Sequence, residues 1–169
     1  MSVRPSQVVL ARRKPRQNLR KQRRIFLEAL EDRSLLATIP FEVPAGTIGN
    51  QNFGGSLGMD FNVVSPITVT NLGAFDSGSN GITGTISVRL YDRTATATAL
   101  ATASFTGSGQ QLVAGSRFTP ITSLNLPAGF QGRIVADGYN SIENNGNQGI
   151  GALGLTINTG GGAVTFGTN

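Results

Sequence analysis

The sequence predicts an all-β body, a two-sheet antiparallel β-sandwich of jelly-roll-like form, behind a disordered basic leader and a short helix. Three observations support that expectation. From residue 38 onward, apolar and polar side chains alternate in short runs, the period-two pattern of half-buried strands. Gly, Asn, Ser and Pro separate these runs at short intervals, as in sandwiches and barrels built from many strands. Charge also changes sharply near Ala37: residues 1–37 carry ten Lys and Arg against three acids, a net of +7, whereas residues 38–169 carry four Arg against six acids, a net of −2. The two predicted units are therefore a leader, 1–37, and a domain, 38–169, which is long enough to bury roughly two-thirds of its unfolded surface.

The leader comes first. Arg4, Arg12, Arg13, Lys14, Arg16, Arg20, Lys21, Arg23 and Arg24 crowd its first 24 residues, a composition that repels itself and has little to bury, so disorder is expected there. Its only apolar run, residues 8–11, is too short for a secretory h-region and far too short to span a bilayer. Between residues 23 and 36, Phe26, Leu27 and Leu30 fall at helical spacing with Glu28, Glu31, Asp32 and Arg33 opposite. That pattern fits an amphipathic helix on an acidic surface or in a receptor groove, but on periodicity alone a short solvated helix joining the tail to the domain is the expectation.

Strand patterning then takes over. Leu57, Met59, Phe61 and Val63 alternate with Gly58, Asp60 and Asn62; Ile67 and Val69 alternate with threonines after Pro66; Ile86, Val88 and Leu90 alternate with Ser87, Arg89 and Tyr91. Further strands are expected over 99–105, 117–126, 130–139, 152–157 and 163–166. Phe61, Phe75 and Phe130 occupy apolar strand positions and belong to the core. Asn80-Gly81 signals a hairpin turn, because both residues accept positive φ at low cost. The run Thr94 to Ala99 reads as a long hairpin loop or as a strand with a small-residue face.

Two resemblances follow from particular residues. Residues 24–37, behind their Arg and Lys cluster, resemble the LEPR-XLL sorting segment of exported planctomycete-type proteins. Leu30, Glu31, Arg33, Leu35 and Leu36 match that pattern, and Asp32 stands where the pattern has Pro. The resemblance implies an extracellular or cell-envelope destination, with export or sorting machinery as the leader's partner. The runs 57–61, 67–76, 88–92 and 134–139 are similar to uncharacterised β-sandwich modules of exported proteins, some of which carry PEP-CTERM-type tails. That similarity implies a fold and no residue roles.

Composition narrows the chemistry. The chain has no Cys and no His, which removes Ser-His-Asp and Cys-His nucleophiles, disulfides and the usual zinc sites. Glycoside hydrolysis by paired carboxylates remains, but the spacing of Glu42, Asp60, Asp76, Asp92, Asp137 and Glu143 singles out no pair, so the domain is expected to be non-catalytic. Asp76, Gly78, Asn80 and Gly81 partly fit a calcium loop, but Ser87 stands where its closing carboxylate belongs; a turn is the expectation, with no metal and no cofactor. Phosphate binding by the leader lacks aromatic interleaving and a basic face on the domain, so no nucleic-acid partner is expected, and no transmembrane segment. The expected role is an exported structural or adhesive module whose partners are envelope proteins or extracellular glycan. For glycan, the candidate ligand loop is Asp137, Tyr139, Asn140, Glu143, Asn144 and Asn145, the most polar stretch bearing an aromatic ring; the same stretch also reads as an Asn-rich surface loop.

Overall fold

The computed structural model describes residues 37–146 and 153–167. The chain divides into two units, Met1–Leu36 and Ala37–Asn169. The expected disorder, the short helix and the sorting residues Leu30, Glu31, Asp32, Arg33, Leu35 and Leu36 lie outside the described residues.

The second unit is an all-β sandwich. Its strands are β1 Phe41–Glu42, β2 Leu57–Val63, β3 Ile67–Phe75, β4 Ile82–Asp92, β5 Ala101–Gly107, β6 Gln111–Val113, β7 Ser116–Leu126, β8 Gln131–Asp137, β9 Thr156–Ile157 and β10 Val164–Phe166. One sheet has the order β10-β2-β8-β4-β5, a second β3-β7-β6, and β1 pairs with β9 in a small third; all pairings are antiparallel. Strand β2 pairs with β8 in the first sheet while their chain neighbours β3 and β7 pair in the second. The segments β2-β3 and β7-β8 thus run together as one two-stranded ribbon from the first sheet to the second, the jelly-roll-like crossing that alternation alone cannot specify.

The period-two pattern explains the core. In β4 the residues Ile82, Ile86, Val88 and Leu90 point inward with at most 2% exposure, meeting Leu72 and Ala74 of β3, Leu126 of β7 and the fully buried Phe105 of β5. Phe61 is buried, and Phe75 and Phe130 pack against the same cluster, as their strand positions predict. Pro120 sits in β7 beyond the reach of β6, next to the register shift between Val69 and Asn71, where a missing N–H costs the ladder least.

Three local expectations change. Strand β3 extends to Phe75 through Asn71 and Gly73, residues of low strand propensity; the Phe118 ring covers Gly73 from the paired strand. Strand β6 is only three residues long and carries no alternation to read. Residues 76–81 do not close a hairpin, because β3 and β4 belong to different sheets. They form an arch through a 3-10 turn, Ser77–Ser79, whose N–H groups are satisfied by loop carbonyls and side chains instead of a partner strand.

Phe61 and Gly132 are directly paired across β2 and β8, and a Cβ added at Gly132 would fall within the Phe61 ring. Gly132→Ala is therefore expected to destabilise the domain by about 1–3 kcal/mol through overpacking, although Ala is the better strand former. Urea denaturation reads this directly; an unchanged midpoint would show that the ring does not occupy that place.

Candidate functional site

Two polar assemblies stand out, one at an end of the sandwich and one on a sheet face. The first is buried. Asp76 is fully enclosed, and Arg117 and Glu143 are 5% and 2% exposed. The Asp76 carboxylate accepts the Arg117 Nε–H at 2.7 Å and the Gly81 N–H at 3.0 Å, while an Arg117 terminal nitrogen donates to the carbonyls of Ser108 and Gln110, each at 2.9 Å. Glu143 accepts the N–H groups of Ser77 at 2.9 Å and Thr83 at 2.7 Å. Each of these charged groups is thus met by oriented hydrogen-bond partners, the condition for keeping it out of water.

This arrangement encloses two residues of the expected ligand loop, Tyr139 and Glu143. Gly138, at φ +111°, turns the chain out of β8 and sends Tyr139 into the core, where it is 3% exposed and its hydroxyl donates to the Phe75 carbonyl at 3.1 Å. Burial raises the phenol's pKa above its usual value, with the nearby Glu143 and Asp76 charges adding to the shift. A ring so enclosed presents no face for stacking on a sugar. Glu143 is likewise buried, and Asn140 shapes the turn by accepting the N–H groups of Ile142 and Glu143. Asn145 pairs with Gln51 through backbone and side chain, and the Asn144 side-chain oxygen is enclosed beside them. Of the six residues, only Asp137 reaches the other assembly.

The second assembly covers the outer face of the five-stranded sheet. Residues that alternate with the core point outward there, and the register places Tyr91 beside Arg133 and Arg133 beside Asp60. One step along the strands, Arg89 lies beside Val135 and Val135 beside Gly58. Arg133 grips Asp60 through two nitrogens, at 2.6 and 3.0 Å, and Arg93 adds a contact at 3.2 Å. The Arg133 hydrogen bond holds the Asp60 carboxyl below its ordinary pKa, and the same bond raises that of the guanidinium. Asp137 joins Arg89 and the Ser56 hydroxyl. Between these two rims lies a depression of about 280 Å³ lined by Ser56, Gly58, Asp60, Arg133 and Val135.

Sequence reasoning placed Asp60 outward but missed Arg89, Arg133, Ser56 and Gly58 as neighbours. Their outward parity was readable; the β2-β8-β4 order that gathers them was not. At the arch, the Asp76 oxygens that a calcium loop would use are occupied by Arg117 and Gly81, and no group of three or more metal-ligating side chains occurs among the described residues. No family model, curated protein or solved structure matches this chain.

Removing the Glu143 carboxylate leaves two part-buried N–H groups, those of Ser77 and Thr83, without their acceptor. Glu143→Ala is expected to lower unfolding stability by about 3 kcal/mol, since hydrogen bonds to a charged group are worth about 1.5–3 kcal/mol each and water recovers part of the loss. Chemical denaturation tests this, and a loss below about 0.5 kcal/mol, typical of an ordinary surface substitution, would contradict the structural role.

Proposed function

We propose that the chain is an exported, non-catalytic β-sandwich module of the cell envelope or extracellular space, structural or adhesive in role and addressed by its leader. The observation that carries the non-catalytic part is how the domain's carboxylates are used. Five of the six, Asp60, Asp76, Asp92, Asp137 and Glu143, are each hydrogen-bonded to named partners within the fold: arginines, backbone N–H groups, or the hydroxyls of Thr94 and Ser56; the sixth, Glu42, stands on the short β1. A hydrolytic pair needs one carboxyl free to give a proton and another free to attack or activate water. Here those oxygens orient side chains and close turns.

The export part rests on the leader's sequence: a +7 basic segment ending in Leu30, Glu31, Arg33, Leu35 and Leu36, placed before a domain of opposite net charge. No helix among the described residues is long and apolar enough to cross a membrane. A rigid two-sheet scaffold suits such a role because its faces and loops can vary while the core holds them in place.

Fractionation of the native host, with N-terminal sequencing of the recovered protein, tests the address. The expected result is recovery from the envelope or medium, with a variant carrying Arg33→Ala, Leu35→Ala and Leu36→Ala retained inside the cell. Full-length wild-type protein confined to the cytoplasm would overturn the proposal.

A further inference from the structure

The depression on the outer face of the five-stranded sheet has features that the core does not require. Gly58 lies inside β2, where a glycine weakens a strand and often marks a place of close approach by a ligand or another backbone. Packing does not demand it: an added Cβ would meet nothing nearer than 3.6 Å, in ordinary contact with β8. The missing side chain leaves open the middle of the depression, whose floor is Gly58 and the Val135 side chain. Asp60 and Arg133 form one rim; Ser56, Asp137 and Arg89 form the other. We propose that this depression is a binding subsite for one neutral hexopyranose ring of an extracellular glycan.

The chemistry favours that occupant. A pyranose presents C–H groups on its ring faces and hydroxyls around its edge, matching an apolar floor between two rims of donors and acceptors. The volume, about 280 Å³, is near the lower end for small-molecule sites and suits a single ring rather than a long ligand. The bonding points to a neutral sugar, because Asp60 already holds Arg133 and Arg93 and Asp137 holds Arg89, and an acidic ligand would have to displace Asp60 from the Arg133 fork. At the floor β8 is hydrogen-bonded to β2 on one side and to β4 on the other, so a peptide cannot add to β8 through its main chain. The rim pairs hold each other's side chains in place before any ligand arrives, which lowers the ordering cost of binding.

This subsite rests on the reading of the chain as a non-catalytic module and adds its ligand class. The test is affinity electrophoresis of the full chain in gels containing mixed-linkage β-glucan, galactomannan or dextran, with hyaluronan as an acidic comparison. Retardation by at least one neutral polysaccharide is expected. Gly58→Val should weaken it roughly tenfold or more by filling the floor, while leaving the thermal midpoint unchanged or raised, because Val is a strong strand former. Thr122→Val, on the exposed face of the other sheet, should bind as the wild type does. Absence of retardation by every neutral polysaccharide, equal binding by Gly58→Val, or binding to hyaluronan alone would each overturn the subsite. A chain found outside the cell that binds none of these polymers would overturn the subsite and leave the export proposal standing.

Discussion

The buried hydrogen-bonded cluster around Asp76, Arg117 and Glu143 is the constraint on which the rest of the sandwich depends. Three segments meet there: the arch from β3 to β4, the short crossing from β5 to β6 through Ser108 and Gln110, and the loop that follows β8. The first two carry the chain from one sheet to the other, where no strand partner is available to satisfy the backbone. Side chains replace that partner. Arg117 reaches Asp76 and two carbonyls at once, a task for a planar fork with several donors and not for a lysine. Burying these charges is costly, and only their near-complete set of partners makes the arrangement tenable. The cluster therefore specifies which loops meet at this end more than it adds net stability.

That use of polar groups determines where a ligand can be received. The loop end, with its Tyr, Glu and Asn residues, has the composition of a binding site, but its polar atoms are turned inward on one another. The outer face of the five-stranded sheet has the opposite character. Its arginines and aspartates pair at the surface, with the Arg133 side chain 45% exposed, and frame a floor made of Gly58 and Val135. The same residue types hold the fold in one place and line an accessible depression in the other. Burial separates the two roles.

Much of the architecture was legible from side-chain period. The inward set in β2 and β4 was readable because Phe61, Val63, Ile86, Val88 and Leu90 alternate strictly with polar residues, and the packing of Phe75 and Phe130 followed from the same rule. Other features escaped for identifiable reasons. Strand β6 is too short to show a period, and β3 continues through Asn71 and Gly73 because Phe118, more than forty residues away in sequence, covers the glycine. Asn80-Gly81 gave a true turn signal but could not say whether its flanking strands share a sheet. Tyr139 looked like a surface aromatic because its neighbours are polar; those neighbours bond to the chain itself. The depression on the outer face was hidden for a related reason, since Asp60, Arg89 and Arg133 become neighbours only through the non-sequential order β2-β8-β4.

If the buried cluster governs the sandwich, its backbone should open only when the whole domain unfolds. Native-state hydrogen exchange on the Ser77, Gly81 and Thr83 amides measures this, because segments held only locally exchange through small openings at low free energy. The predicted result is protection of these three amides equal to that of Ile86 and Val88 in the core of β4, despite their position in and beside a turn. Exchange at the rate of an unstructured loop, with the β4 core still protected, would contradict the claim that the cluster fixes these loops to the core of the sandwich.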